Sequence, residues 1–272
     1  CIDSRKCTQG NLYIPIIGAH FDGHDFAAQA IEQGAVAVLW QKDHPHPPQG
    51  AAVILVDDTQ QALSELAKKY RESLDLVMIG ITGSNGKTST KDILCSLLKR
   101  KYVTQKTHGN MNNEIGVPLT LLGLSDATQV AIVEMGMENR YEIDALTRLV
   151  QPDIAVITNV GEAHLENLGS IENIARAKAE IVHGLKENGV LLFNGEQDVL
   201  KLALWQEELP RGTTVKSFGH DERQDLFSYG DVTQDAGGIS FHCNLLAQPA
   251  SMNVYGKHQV MNALPFIYIA RA

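Results

Sequence analysis

A glycine-rich stretch at residues 83–88, GSNGKT, contains the residue types that bind phosphate groups. Glycines let the backbone approach a ligand closely, a lysine adds a positive charge, and a threonine hydroxyl can ligate magnesium. The common phosphate loop has a further glycine at the position of Ile81, so this loop is shorter than usual. We therefore predict a short loop that binds nucleotide phosphates, with these members: Gly83, Ser84, Asn85, Gly86, Lys87, Thr88 and Ser89.

The segments on either side of this loop fit a phosphate site. A β-branched run at residues 76–81 precedes it, and the apolar residues Ile93, Leu94, Leu97 and Leu98 follow at helical spacing. A strand, a turn and a helix start would direct backbone N–H groups and the positive end of the helix dipole at one point. An ordinary strand-to-helix turn would account for the glycines, but not for a Lys-Thr pair at the helix start.

Similar runs recur along the chain and predict an α/β fold. They lie at residues 35–39, 51–56, 76–81, 130–135, 154–160 and 189–194. From residue 76 onward they alternate with helical patterns, which favours a mostly parallel sheet flanked by helices. Residues 57–74 are predicted to form a helix, and around residues 210–250 the pattern weakens into loops and short strands. We therefore expect a small α/β domain at residues 1–75 and a P-loop-type nucleotide-binding domain at residues 76–272.

Two polar residues near strand ends are candidate metal ligands. Glu134 lies near the end of VAIVEM, and His164 follows IAVITNV. In an open α/β sheet, ligands bind at the carboxyl ends of the strands, where both residues would lie. Taken singly, each could be an ordinary strand-end or loop residue. Beside a nucleotide loop, we interpret the pair as magnesium ligands, because ATP chemistry needs that metal.

Lys178 stands out within a predicted helix at residues 170–189. At about 100° per residue it falls near the middle of the apolar stripe, which consists of Ile171, Ile174, Ile181, Val182 and Leu185. The opposite, polar face is predicted to contain Glu172, Arg176, Glu180, His183 and Glu187. A lysine at the edge of a stripe can extend its amine to water, whereas a lysine at the centre loses its proton more easily. We therefore interpret Lys178 as a functional lysine, open to covalent modification or to phosphate contact.

The composition narrows the choice of partners. The chain has 272 residues, a formal net charge of −9 and a pI near 5.5, which disfavour nucleic acid and anionic membrane surfaces as partners. No apolar run approaches the roughly 18 residues of a membrane span, and no signal peptide opens the sequence. The four cysteines lack metal-type spacing, which suits a reducing cytoplasm. His44 and His46 lie in a proline-rich loop, where we expect exposure to solvent rather than a metal site.

Taken together, these features resemble the Mur ligases of peptidoglycan synthesis. The resemblance covers essentially the whole chain, and its motifs follow the family's order: DSRK, GITGSNGKTSTK, THGNMNNEIGVPLTLL, VEMGM, TNVGEAHLENLGS, ARAKAEI and GKHQVMNAL. The short Gly-x-x-Gly-Lys-Thr core is the family's own form of the ATP loop. The stretch at residues 107–122 most resembles the branch of the family that adds D-Ala-D-Ala.

The resemblance implies an ATP-dependent amide ligase. ATP would phosphorylate the terminal carboxylate of UDP-MurNAc-tripeptide, and the amine of D-Ala-D-Ala would attack the acyl phosphate, releasing ADP and phosphate. Lys87 and its loop would hold the ATP phosphates, while Thr88, Glu134 and His164 would serve two magnesium ions. Lys178 matches the lysine that these ligases carbamylate, which would make it a further metal ligand. The enzyme would act in the cytoplasm as a monomer.

The resemblance also assigns binding residues. Asn262 matches the family's adenine-contacting asparagine, with His258 nearby; without the resemblance, both would be read as the polar start of a helix. Asn112 and Asn113 would lie close to the reacting carboxylate, although they could also be simple loop residues. Four residues of the first domain would bind the UDP-sugar and peptide, although Asp-Gly-His could equally be a turn: Ser4, Arg5, Asp22 and His24.

Two departures from the family pattern bear on these expectations. Family members begin before the first motif and carry a further Rossmann-like domain after the adenine segment, so we expect turnover by the 272 residues alone to be impaired, because domain closure completes such sites. Tyr141 stands where the family usually has a glycine. If that position has a positive φ, the tyrosine strains the turn.

Other readings stay open. A sister ligase that adds a single amino acid, or a folate polyglutamate synthetase, is opposed by the stretch GNMNNEIGVPLTLL. A module that binds a nucleotide or a UDP-sugar without catalysis would use the same loop. A P-loop kinase or GTPase is least favoured, because its base-recognition motifs and usual glycine spacing are absent from the sequence.

Overall fold

The computed structural model describes residues 1–271 and separates into two compact units. The first unit is Cys1–Lys69, and the second begins at Tyr70. Helix α2 (Thr59–Ser73) contains the division, and the predicted boundary near residue 75 lies just after the end of that helix. Across residues 1–271, no helix is both long and apolar enough to cross a bilayer.

The first unit is a small parallel α/β layer. Strands β1 (Leu12–Tyr13), β2 (Ala37–Gln41) and β3 (Ala52–Val56) pair in that order, and α1 (Ala27–Glu32) precedes β2. Two short 3-10 helices complete it, at Ser4–Lys6 and Gly23–Phe26. Its core includes the buried side chains Tyr13, Ala30, Val38 and Trp40.

The second unit is built on a nine-stranded sheet in the order β12-β11-β10-β9-β8-β7-β4-β6-β5. Its strands are β4 (Val77–Thr82), β5 (Thr104–Lys106), β6 (Val130–Glu134), β7 (Ile154–Ile157), β8 (Val190–Asn194), β9 (Thr214–Gly219), β10 (Leu226–Asp235), β11 (Gly238–Cys243) and β12 (Ala250–Met252). Pairing is parallel from β5 through β10, and β11 and β12 add antiparallel strands at one edge. The predicted mostly parallel α/β fold is confirmed.

Helices cover this sheet. They are α3 (Lys87–Leu98), α4 (Gly116–Leu122), α5 (Glu142–Val150), α6 (Leu165–Leu168), α7 (Ile171–Ala179), α8 (Asp198–Trp205) and α9 (Gln259–Ile269). One continuous core joins the central strands to α3 and α9, with Ile81, Leu94, Val156, Phe218 and Leu264 among its buried members. These strands are apolar on both faces because a sheet covered on both sides offers no polar face.

The strand order fixes where a ligand can bind. The central strand β4 pairs with β6 on one side and β7 on the other, so the connections leave in opposite directions. A crevice opens at such a reversal, beyond the carboxyl ends of the strands. Three candidate residues lie at this edge: Lys87 begins the helix after β4, Glu134 ends β6, and His164 lies in the connection after β7.

The predicted helix at residues 170–189 is shorter and changes type. The α-helix ends at Ala179, and a 3-10 helix continues from Glu180 to Gly184. Glu180 was predicted on the polar face, and this is wrong, because its side chain is fully buried. Its carboxylate accepts hydrogen bonds from N–H groups at the start of α5. Helical periodicity cannot predict these contacts, because the donors lie far away in the sequence.

Candidate functional site

The turn between β4 and α3 depends on its two glycines. Gly83 has a φ of 148° and Gly86 a φ of 81°, both in the region that favours glycine. A Cβ at Gly83 would collide with Oγ1 of Thr158, and one at Gly86 would collide with Oδ1 of Asn262. Gly86 is also the N-cap residue of α3, so the turn leads directly to the positive end of the helix dipole.

The loop after β7 holds this turn in place. The N–H of Ser84 donates to the carbonyl of Asn159 at 3.0 Å, and the N–H of Asn85 donates to its side-chain oxygen at 2.8 Å. Thr158 donates its hydroxyl to the carbonyl of Asn85 at 2.6 Å, and the N–H of Gly161 donates to the Ser84 hydroxyl at 2.9 Å. The cradle therefore has a fixed backbone before any phosphate arrives.

Lys87 folds back over the turn. Its Nζ donates to the carbonyl of Gly83 at 2.7 Å. Burial lowers the pKa of Lys87, and the nearby Glu134 carboxylate partly offsets this effect. Ser89 lies half-buried in the first turn of the same helix.

Glu134 is 2% exposed at the end of β6 and accepts hydrogen bonds from three side chains. Lys91 Nζ lies 3.0 Å from Oε2, the Thr88 hydroxyl lies 3.1 Å from Oε2, and the Asn112 amide lies 2.9 Å from Oε1. A buried carboxylate is costly unless it is paired. In this protein the pairing cation is Lys91, which the sequence analysis missed.

Lys178 is 2% exposed on α7 and lines a cavity of about 810 Å³. Burial, and to a smaller degree the positive charge of Lys87, lowers the pKa of Lys178 to about 7. Near neutral pH a substantial fraction of its amine is therefore unprotonated and nucleophilic, as addition of carbon dioxide requires. The expected place of Lys178 within an apolar environment is confirmed by its burial.

The same cavity brings together residues from five chain segments. Besides Lys87 and Lys178, its lining includes Asn112 and Asn113 of the loop before α4, and His164 at the start of α6. His164 is exposed and adopts a φ of 67°. The cavity has room for a nucleotide phosphate together with the end of a peptide.

A buried carboxylate supports one wall of this cavity. Glu180 accepts from Arg140 Nε at 2.8 Å, from the N–H of Tyr141 at 2.9 Å and from the N–H of Asp144 at 3.3 Å. Tyr141, which is 69% exposed, caps α5 with a φ of 70°. Tyr141 therefore has the positive φ at which a tyrosine strains the backbone, and the hydrogen bonds of Glu180 hold this strained turn.

The start of α9 lies beside the phosphate loop. Asn262 approaches Gly86 so closely that its carbonyl oxygen would meet any side chain there. Its amide also donates to Oε1 of Gln259 at 2.9 Å. His258 is exposed at the N-cap position of the helix.

The candidate residues of the first unit are engaged with one another and their neighbours. Ser4 donates to Gln29 at 2.6 Å, and the exposed Arg5 pairs with Asp3. Asp22 lies 2.6 Å from Nδ1 of the buried His24 and 3.2 Å from Nε2 of His44. The expected solvent exposure is confirmed for His46 but is wrong for His44, which is only partly exposed. The His44 ring stacks on His24 at 4.2 Å between centroids, and both rings lie nearly perpendicular to the Trp40 ring.

The donor set fits ATP and magnesium. The turn offers backbone N–H groups and an amine, which suit phosphate oxygens. Thr88 and Glu134 offer adjacent hydroxyl and carboxylate oxygens 3.1 Å apart, the hard ligands that magnesium prefers. His164 adds an imidazole at the cavity, which is a less usual ligand for this ion.

Comparisons with known proteins agree with this geometry. The family description "Mur ligase family, catalytic domain" matches residues 1–71, and "Mur ligase middle domain" matches residues 81–270. The UDP-N-acetylmuramoyl-tripeptide–D-alanyl-D-alanine ligase of Bacillus subtilis is 46% identical over 265 residues. That match covers 97% of this chain and 56% of the relative, so the chain spans little more than half the relative's length.

Two solved structures are similar over the whole chain. MurF from Acinetobacter baumannii has a TM-score of 0.88 and 32% identity, and the match covers 59% of that chain. MurF from Thermotoga maritima, solved in complex with ADP, has a TM-score of 0.87 and 30% identity, and the match covers 62% of that chain.

Proposed function

The chain belongs to the Mur ligase family, and on that premise we propose that its function is the ATP-dependent joining of D-Ala-D-Ala to UDP-MurNAc-tripeptide. The Bacillus subtilis relative carries this activity in its name. The observation that carries the proposal is the convergence of a phosphate loop, a buried carboxylate and a buried amine at one end of a parallel sheet. Each group matches one requirement of carboxylate activation by ATP.

ATP binds with its phosphates on the turn at residues 83–88. Backbone N–H groups at the start of α3 meet the phosphate oxygens, and Lys87 exchanges its hydrogen bond to the Gly83 carbonyl for one to phosphate. Asn262, which already abuts Gly86, contacts the adenine together with His258. The T. maritima protein, similar over this whole chain, was solved with ADP, which supports a nucleotide at this place.

Thr88, Glu134 and His164 would hold magnesium, and a second ion would add a carbamylated Lys178 to its ligands. When bound, the metal neutralises charge that builds up on the transferring phosphate. The low pKa of Lys178 supports carbamylation, because an unprotonated amine attacks carbon dioxide. Addition of carbon dioxide to the neutral amine would release one proton and leave a negatively charged carbamate, which would be available as a metal ligand.

The reaction proceeds in two displacements. A carboxylate oxygen of the tripeptide attacks the γ-phosphorus of ATP, ADP leaves, and an acyl phosphate forms. The amine of D-Ala-D-Ala then attacks the acyl carbon, loses a proton, and phosphate leaves with the former carboxylate oxygen. Asn112 and Asn113 orient the carboxylate, since both line the cavity beside Lys178.

The first unit contributes the UDP-sugar contacts. Arg5 is exposed and can exchange Asp3 for a diphosphate, while Ser4, Asp22 and His24 shape the surrounding turns. We also propose that the protein acts in the cytoplasm as a monomer. Four free cysteines suit a reducing compartment, and size-exclusion chromatography with light scattering tests the oligomeric state.

The test is a turnover assay by mass spectrometry. The purified protein is mixed with UDP-MurNAc-tripeptide, magnesium, ATP and either D-Ala-D-Ala or single amino acids. We expect the pentapeptide product with D-Ala-D-Ala only, its loss in Lys87→Ala, and its retention in Lys99→Ala, an exposed lysine at the far end of α3. A product with single amino acids, or no product with any acceptor, would overturn the proposal.

A further inference from the structure

Lys91 is a charged residue with almost no contact with solvent. It lies on α3 and is 1% exposed, among the largest fully buried side chains of the protein. Its Nζ lies 3.0 Å from Oε2 of Glu134 and donates to the carbonyl of Gly109 at 3.3 Å. Lys91 is the last residue of the motif GITGSNGKTSTK, but it lies outside the predicted phosphate loop at residues 83–89 and is not among the proposed metal ligands.

The position of Lys91 on α3 follows from helix geometry. Lys87 and Lys91 are four residues apart, and Thr88 and Lys91 are three apart, so all three share one helix face. The first turn of that face presents the Lys87 amine to the Gly83 carbonyl and the Thr88 hydroxyl to Glu134. The second turn places a buried amine against the same carboxylate.

The contacts of Lys91 fix the orientation of Glu134. Oε2 is shared between Lys91 and Thr88, and Oε1 accepts from Asn112. Removing one partner of a buried pair leaves the other charge uncompensated, which is strongly destabilising. Without Lys91, the Glu134 carboxylate would keep its contacts with Thr88 and Asn112 but lose the cation that compensates its buried charge.

Lys91 also ties the α3 helix to the loop that precedes α4. Gly109 and Asn112 both belong to that loop, and the carbonyl of Asn112 accepts from the N–H of Gly136 at 2.8 Å. The Lys91 amine of α3 thus contacts two other elements. It meets the end of β6 through Glu134 and the loop before α4 through Gly109.

We propose that Lys91 is a positioning residue that holds the Glu134 carboxylate in place beside Thr88, so that magnesium meets a preset carboxylate. The inference rests on the proposed function in one respect, since it takes Glu134 as a magnesium ligand. A lysine that serves stability alone would leave the effect of magnesium on nucleotide binding unchanged.

The first measurement needs neither metal nor nucleotide. Thermal unfolding is compared among the wild type, Lys91→Met, Glu134→Gln and the double variant. We expect each single substitution to lower Tm by several degrees and the double variant to lose less than the sum, because it removes both buried charges. Additive losses would overturn the pairing on which the proposal depends.

The second measurement is the Kd for ADP in EDTA divided by the Kd for ADP in magnesium. This ratio is the magnesium effect. We expect Lys91→Met to reduce the magnesium effect at least tenfold, Lys91→Arg to reduce it in part, and Lys99→Met to leave it unchanged. Adding Lys91→Met to Glu134→Gln should cause no further change, because Lys91 acts through that carboxylate. An unchanged or larger magnesium effect in Lys91→Met would overturn the proposal.

Two other outcomes need a separate interpretation: a Lys91→Met variant that does not fold, and a wild type without a magnesium effect. If Lys91→Met does not fold, Lys91→Arg and the comparison of the double variant with Glu134→Gln decide the question. If the wild type itself binds ADP equally with and without magnesium, the proposed metal site fails, and the role of Lys91 fails with it. That outcome is visible in the wild type alone.

Discussion

Two buried lysines show how surroundings decide what an amine can do. Lys91 meets a carboxylate at 3.0 Å, so its charge is compensated. Lys178 is equally buried, but the charge acting on it comes from another lysine, and its pKa falls to about 7. The first environment suits a fixed cation and the second suits a reactive amine.

The low pKa of Lys178 predicts that its charge destabilises the fold. Above the ordinary lysine value of 10.5, both folded and unfolded states are neutral at this position. As the pH falls from 10.5 to about 7, the unfolded chain takes up a proton that the folded protein does not, so stability is lost. We expect Lys178→Met to raise the free energy of unfolding by about 3 kcal/mol near pH 8 and to abolish turnover.

Urea unfolding of both proteins in buffer free of carbon dioxide measures this difference. The gain in the variant should shrink as the pH approaches 10.5. A gain in the free energy of unfolding that does not vary with pH would mean that better packing of the methionine, rather than removal of the lysine charge, sets the effect.

Tyr141 offers a second prediction at the scale of one residue. At an ordinary helix position, alanine is more stable than glycine by about 1 kcal/mol. Because Tyr141 has a φ of 70°, we expect the reverse order there, with Tyr141→Gly more stable than Tyr141→Ala by roughly 1 kcal/mol. Both variants lose the ring contact with Arg140, so their difference isolates the backbone. Equal free energies of unfolding would argue against strain at this turn.

Sequence reasoning at this scale found one buried lysine and missed the other. Lys178 was recognised from its place on an apolar stripe. Lys91 carries the same signal, since Leu94, Cys95 and Leu98 follow it at three, four and seven residues and are all buried. The buried Glu180 carried no such signal, because its partners come from the start of a distant helix.

At the scale of elements, the turn between β4 and α3 requires free space beside the Cα of Gly83 as well as the positive φ of that residue. Gly83→Ala would place a Cβ into Thr158, whose hydroxyl holds the carbonyl of Asn85. Gly230 also has a positive φ, of 68°, but no atom lies within 4 Å of its added Cβ. Gly230→Ala is therefore a control for the backbone cost alone.

We expect Gly83→Ala to weaken ADP binding at least tenfold and to lower stability more than Gly230→Ala, whose cost should stay near 1 kcal/mol. Calorimetric titration with ADP and urea unfolding measure the two effects. Equal losses of stability and unchanged ADP binding in both variants would show that the Thr158 contact does not shape the loop.

The central strands were predicted well because burial on both faces leaves a clear apolar signal, whereas the ten-residue strand β10 lies where the sequence predicted only loops and short strands. The run at residues 76–81 became β4, and the run at residues 130–135 became β6, each within one residue at either end. The helix at residues 170–189 was overextended. Its change to a 3-10 helix at Glu180 depends on contacts with α5, which local periodicity does not encode.

At the scale of the whole molecule, the net charge of −9 does not describe the cavity, whose lining mixes both signs. The basic side chains Lys87, Arg140 and Lys178 line it together with the carboxylates of Glu114, Glu138 and Glu142. Binding of an anion there would therefore depend on individual donors rather than on a positive overall field. The sequence singled out Lys87 and Lys178, and both line this cavity, whereas the stacking of His44 on His24 joins segments that no motif connects.

The most direct test of the whole account follows one oxygen atom. UDP-MurNAc-tripeptide is labelled with ¹⁸O in its terminal carboxylate and incubated with the protein, ATP, magnesium and D-Ala-D-Ala, and the released phosphate is analysed by mass spectrometry. Activation through an acyl phosphate requires one labelled oxygen in each phosphate released, with the pentapeptide formed in equal amount. Pentapeptide formation with unlabelled phosphate would contradict the account, because the carboxylate oxygen would then never have bonded to the phosphorus of ATP.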